Sequence, residues 1–212
     1  LDRCGEIEQL KAQVPPPDPA IEEEVERVEA ELARARALYS AGHYTKTLEL
    51  LPPLEREARE TGYAPLLTLA LNLSGRAAGE AGRFAEAEEH LREGLRLALG
   101  SRDWNSAREF AYLQGEIIGN RLGRLSEGLA YSEVAWGLLG AEPSPFAEAQ
   151  VRTGLGTLRR KEGDLDEAEA HHSTALELIL RADPQSPNVI NARTNIALIR
   201  QLRGDYSAAK AE

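Results

Sequence analysis

Along most of the chain, apolar residues recur at spacings of three and four, the period of one face of an α-helix, and short polar breaks separate the runs. Read in order, they predict helices over 19–41, 44–60, 65–81, 84–99, 102–122, 125–139, 145–162, 165–181, 187–203 and from 206 onward. Asp18-Pro19, Ser144-Pro145 and Ser186-Pro187 each put a capping side chain ahead of a proline suited to a first helical turn. Pro52-Pro53 falls inside the second run. An interior proline costs about 3 kcal/mol, so that helix is expected to kink or restart. In the first run, Ile21, Val25, Val28, Leu32, Ala35 and Tyr39 alternate steps of four and three, a heptad seam of about three heptads. That is short for a coiled coil. The favoured expectation is packing inside its own hairpin, and the alternative is self-dimerisation.

The helices are punctuated by a repeat. Gly42, Gly82, Gly123, Gly163 and Gly204 follow one another at intervals of 40, 41, 40 and 41 residues. Each ends one helical pattern and precedes the next, as a left-handed C-terminal glycine does. Two residues later stands a large apolar side chain: Tyr44, Phe84, Leu125, Leu165 or Tyr206. Five residues after the glycine comes Ala87, Gly128, Ala168 or Ala209, with Thr47 the exception; seven before it comes Ala35, Gly75, Gly156 or Ala197, with Glu116 the exception. Small residues on facing helices let two backbones approach closely. The pattern is an αα-hairpin repeated about five times.

Gly82-Arg83-Phe84-Ala85-Glu86-Ala87 and Gly163-Asp164-Leu165-Asp166-Glu167-Ala168 resemble the turn and second-helix start of a tetratricopeptide repeat (TPR). That repeat usually spans about 34 residues. The longer step here is similar to the kinesin-light-chain-like variant, as is Ser186-Pro187-Asn188-Val189 followed by Thr194-Asn195-Ile196-Ala197. The resemblance implies an all-α, right-handed superhelical α-solenoid: a linker over 1–18, then repeats of about 19–60, 65–99, 102–139, 145–181 and an incomplete 187–212. A narrower resemblance rests on Leu1-Asp2-Arg3-Cys4, Val14-Pro15-Pro16-Pro17-Asp18-Pro19 and Leu32-Ala33-Arg34-Ala35-Arg36-Ala37-Leu38. It looks like the segment behind the catalytic domain of large bacterial serine/threonine protein kinases, which carry TPR arrays.

Composition narrows the partners. The net charge of −10 without a basic stripe argues against nucleic acid and against anionic membrane surfaces. No run of 18 apolar residues occurs, and no signal peptide opens the chain. Cys4 is the only cysteine, which excludes an internal disulfide and fits a cytoplasmic location. The lack of methionine leads us to expect a fragment.

Catalytic chemistry finds no foothold. There is no phosphate-binding glycine loop, no P-loop lysine and no kinase catalytic motif, so the segment is expected to be non-catalytic and without cofactor. His171 and His172 are neighbours on a helix and point about 100° apart, too divergent for a shared metal, and His43 and His90 have no ligand partners in sequence. Asn72-Leu73-Ser74 matches a glycosylation sequon but lies mid-helix.

The resemblance implies that the first helix of each hairpin lines a concave groove. From residue 65 onward, first helices carry eleven basic and six acidic side chains, second helices three basic and ten acidic. Cations in last turns, such as Arg121, Arg160, Lys161 and Arg203, also suit the helix dipole, but Arg76 and Arg193 lie elsewhere. Inward offsets of the family, counted back from the turn glycines, give Asn72, Arg76, Gln114, Asn120, Arg121, Thr153, Thr157, Arg160, Lys161, Thr194, Asn195 and Gln201 as groove residues. Leu113, Ile117 and Leu198 interrupt this polar row. Amides there can bond a peptide backbone, and Arg selects carboxylate or phosphate. The expected partner is therefore a protein or peptide, acidic or phosphorylated. Self-association, or reception of a small signalling peptide, are the alternatives.

Overall fold

The computed structural model describes residues 15–140 and 143–206. Most of the 1–18 linker, with Cys4, and residues 207–212, with Ala209, lie outside the described residues. Nine α-helices occur among those described, with no strand. They are α1 Glu22–Ser40, α2 Tyr44–Glu60, α3 Ala64–Glu80, α4 Phe84–Gly100, α5 Trp104–Gln114, α6 Leu125–Gly137, α7 Pro145–Glu162, α8 Leu165–Ala182 and α9 Asn188–Leu202. A π-helical segment, Gly115–Arg121, continues α5. Of the ten predicted spans, the nine up to residue 203 match within three residues, except that the span over 102–122 divides between α5 and the π segment, and the one from 206 onward lies almost wholly outside the described residues.

The chain forms two compact units, 1–110 and 111–212. In the first, α1 packs on α2, α2 on α3 and α3 on α4, and the alternate pair α1 and α3 also touches. In the second, the π segment packs on α6, α6 on α7, α7 on α8 and α8 on α9; the π segment also meets α7, and α7 meets α9. First helices of successive hairpins are thus side by side within each unit.

The five repeat glycines all take positive φ, from +73° at Gly123 to +97° at Gly163. Only glycine enters that region without Cβ strain, which is why the turns recur at this residue. Gly62 and Gly140 adopt the same conformation between hairpins, positions that carry no repeat signal. In the heptad seam, Val25, Val28, Leu32 and Ala35 are buried within the first hairpin. The most enclosed helix is α3, with Leu66, Leu71 and Ala77 at 1% exposure or less. Truncating one such leucine costs about 2–5 kcal/mol.

Where small residues face each other, the helices nearly touch. A Cβ built on Gly75 would lie 2.5 Å from a Leu91 methyl, and one on Gly128 would meet the Gly119 backbone, 2.6 Å from its nitrogen. The π segment explains why Glu116 breaks the small-residue rule. One extra residue is absorbed in the widened turn, so Gly115, eight positions before Gly123, takes the crossing position that lies seven before the other glycines. The 41-residue step from Gly82 to Gly123 has the same origin.

Of a kink or a restart at Pro52-Pro53 the restart does not occur, and one expected cap is corrected. The helix holding Pro52 and Pro53 does not restart but runs unbroken from Tyr44 to Glu60. Both prolines are exposed, so the carbonyls they leave unbonded can be met by water, while Leu51, Leu54 and Ala58 are held in the core. Asp18-Pro19 does not cap α1: it forms a preceding turn, where Asp18 Oδ1 accepts from the Ala20 N–H at 2.9 Å. Ser144 does cap α7, accepting from the Ala147 N–H at 3.2 Å. Ser186 accepts from the Asn188 N–H at 3.4 Å, while Pro187 holds the N-cap position itself.

Candidate functional site

The first unit contains a half-open hollow of about 620 Å³. Arg36, Tyr39 and Ser40 of α1 form one wall; Pro65, Thr68, Leu69, Asn72, Leu73 and Arg76 of α3 form the floor; Ser106 and Glu109 of α5 close the third side. Every lining residue thus belongs to the first helix of a hairpin. Asn72 and Arg76, placed inward by the repeat offsets, are both here.

The hollow is polar and internally wired. Arg76 donates through Nε to Asn72 Oδ1 at 3.0 Å and is ion-paired to Glu109 one hairpin further on. Burial raises the Tyr39 phenol above its usual pKa; Arg76 opposes this through charge and a hydrogen bond, while Glu80 reinforces it. Arg36 is exposed and makes no ion pair among the described residues. Hydroxyls, an amide, two guanidinium groups and one carboxylate can bind a partner's polar groups. They offer no activated nucleophile.

In the second unit several of the predicted residues are tied to neighbouring helix groups. Asn120 donates through its amide to Glu116 at 2.5 Å, and its main-chain carbonyl accepts from Lys161 Nζ at 2.5 Å. Arg121 pairs with Glu116 at 3.3 Å. Thr153, Thr157 and Thr194 direct their hydroxyls to the carbonyls four residues back, at 2.8, 2.9 and 2.8 Å. Arg160 is half-buried and has no ion pair among the described residues; Asn195 is half-buried, and Gln201 exposed.

Gln114 must be withdrawn as a surface contact. It is fully buried, and neither amide atom has a hydrogen-bond partner among the described residues. The π turn is the reason: counting back from Gly123 across one extra residue rotates this position from the inner face into the core.

Most inner-helix cations are also already engaged. Arg152 meets Glu148 at 2.7 Å, Arg159 meets Glu162 at 2.8 Å and Glu167 at 2.9 Å, Arg200 meets Glu169 at 2.9 Å, and Arg203 bridges Asp166 and Glu169. The Arg152 pair and one Arg159 pair lie within α7, the other Arg159 pair joins the two helices of one hairpin, and the Arg200 and Arg203 pairs cross to the preceding hairpin, so these cations are engaged rather than left as an open positive surface.

Arg36, Tyr39, Ser40, Thr68, Ser106 and Glu109 were not among the residues expected from sequence. The signal for three of them exists: Arg36, Tyr39 and Ser40 stand six, three and two residues before Gly42, the same inward offsets used downstream. Glu109 lies fourteen residues before Gly123 and has no such marker.

The histidines do not gather. His172 is fully buried with both ring nitrogens unpartnered among the described residues, and its pKa falls to about 4, chiefly through burial, with Arg160 and His171 adding to the shift. His90 sits 3.6 Å from Glu55. No group of three potential metal ligands occurs among the described residues, and no helix there is long and apolar enough to cross a membrane.

Residues 147–211 match the family model described as tetratricopeptide repeat. BtubC (BKLC) from P. vanneervenii superposes with a TM-score of 0.68 at 18% identity, over 92% of this chain and 88% of that one. A putative kinesin light chain from Podosopora anserina, with nearly identical TPR-like repeats, gives 0.69 at 15% identity, over 88% and 92%. The fold is an all-α TPR-type solenoid. Aspartyl phosphate phosphatase F from Bacillus subtilis is also similar, at 0.69 and 13% identity, over 89% of this chain and 58% of that one. None of the curated proteins matches the sequence.

Proposed function

We propose that this chain is a protein–protein interaction module that receives an extended partner segment on the faces made by its first helices. The supporting observation is the hollow of the first unit, lined by three successive first helices and by nothing else. Side-by-side inner helices present a row of side chains at regular intervals, the geometry that suits a peptide with its own regular backbone repeat. In the second unit, Asn120, Arg121, Thr153, Thr157, Arg160, Lys161, Thr194, Asn195 and Gln201 are the contacts we assign to the same role. An acidic or phosphorylated partner fits the cations among them. The likeness to the region behind bacterial serine/threonine kinases supports a regulatory or substrate-recruiting segment of such a cytoplasmic enzyme, with no catalysis of its own.

Selection of displayed random decapeptides on the chain tests the reading. Selected peptides should bind the unaltered chain and lose binding to Asn72→Trp, which fills the hollow, while the melting temperature stays within 2–3 °C, roughly the effect of under 1 kcal/mol at this size. Equal binding to both proteins refutes the hollow as the seat.

Self-association is the second reading. Ile190, Leu202 and Tyr206 are 70%, 54% and 69% exposed around the last described helix. Light scattering on the eluting chain, compared with Ile190→Lys/Leu202→Lys, distinguishes a dimer from a monomer.

A further inference from the structure

The lining of the first unit's hollow is unbalanced: Arg36 and Arg76 carry positive charge, and Glu109 alone is negative. In a chain of net charge −10, this is a place where a foreign anion meets attraction rather than repulsion. Glu109 reaches Arg76 across 33 residues of sequence, from the next hairpin. Neither partner is sealed in: the Arg76 side chain is 28% exposed and that of Glu109 34%. A pair this wet contributes little net energy, so exchanging one carboxylate for another costs little. Asn72, one turn back on the same helix, accepts from Arg76 Nε and would keep the guanidinium in place through such an exchange.

We infer that Glu109 is a resident substitute for the carboxylate of an acidic partner segment, which displaces it from Arg76 and is also held by Arg36. The inference rests on the peptide-binding reading above and specifies its chemistry in the first unit: the anchor is an Asp or Glu side chain, and Glu109 sets the threshold for its entry. A guanidinium accepts a carboxylate through two parallel bonds, which supplies the geometry for one anionic anchor among neutral contacts. Neutral polar segments have no means to displace Glu109 and bind without using Arg76.

Fluorescein-labelled hexaglutamate and hexaglutamine, titrated by anisotropy at low salt, are suitable probes. Hexaglutamate should bind Glu109→Gln at least threefold more tightly than the unaltered chain, and Arg36→Gln at least threefold more weakly. Arg36 is exposed and makes no ion pair among the described residues, so its variant keeps the test valid should Glu109→Gln fail to fold. Unchanged affinity in either folded variant overturns the inference, as does hexaglutamine binding as tight as hexaglutamate. Those results leave the peptide-binding reading standing, because that depends on the selected decapeptides and Asn72→Trp.

Discussion

The imidazole of His172 in α8 rests directly against Gly156 in α7: a Cβ on the glycine would lie 2.9 Å from both Cδ2 and Nε2 of the ring. The same Cβ would stand 3.1 Å from the Ala168 carbonyl. The missing side chain is what allows a histidine to occupy the interior of this hairpin. Gly156→Ala should therefore destabilise by about 1–3 kcal/mol despite alanine's better helix propensity, because overpacking a closed contact outweighs a gain of at most about 1 kcal/mol. A urea titration followed by circular dichroism measures the difference; an increase in stability would contradict this packing.

Acid should weaken the same hairpin. The His172 pKa is about 4 in the folded chain, against an ordinary value near 6.5. The unfolded chain therefore takes up a proton below about pH 6.5 that the folded chain refuses until about pH 4. Stability is complete above pH 6.5 and declines between those limits, by about 2 kcal/mol at pH 5. Lowered by burial and by Arg152, His171 should add to the decline in the same direction. His172→Leu should flatten the pH dependence relative to the unaltered chain, and Arg160→Gln should raise the His172 pKa seen by NMR titration.

Glycines that look equivalent in sequence should part company on substitution. Gly128→Ala forces a methyl group into the Gly119 backbone, which has no side chain to rotate away. We expect a loss of 2 kcal/mol or more, at the upper part of the usual overpacking range of about 1–3. Gly137→Ala, at the end of the same helix, meets nothing within 4 Å. It should stabilise by about 0.5–1 kcal/mol through helix propensity. Paired thermal melts decide both.

Charge reversal should separate two arginines that the repeat offsets both place inward. Arg76→Glu opposes Glu109 and breaks the link from α3 to α5, so a loss of about 1 kcal/mol is expected. Arg160→Glu breaks no ion pair among the described residues and should leave the urea midpoint at neutral pH nearly unchanged. Equal losses in the two variants would show that Arg76 does not brace the hairpins.

Helix spans were legible because their causes are local. Gly82 and Gly163 end helices by their own φ, and Ala87 or Ala168 admits a neighbour by its size alone. The first-unit hollow was partly legible: Asn72 and Arg76 follow from position relative to Gly82, and Arg36 and Tyr39 follow from the same offsets at Gly42. Gln114 was misread because one extra residue enters the π turn between it and Gly123, and residue counting has no access to turn width.

The sequence alone therefore determined the hairpins, their order and the all-α class, since each depends on chemistry within a few residues of a recurring glycine. Tertiary structure decided which cations remain open to a partner. Arg76 finds its carboxylate 33 residues away and Arg200 finds Glu169 31 residues away, while Lys161 meets a main-chain carbonyl 41 residues away. Those distances close only when one hairpin is stacked on the next, so charge that is patterned along the chain becomes bonding or binding surface only in three dimensions.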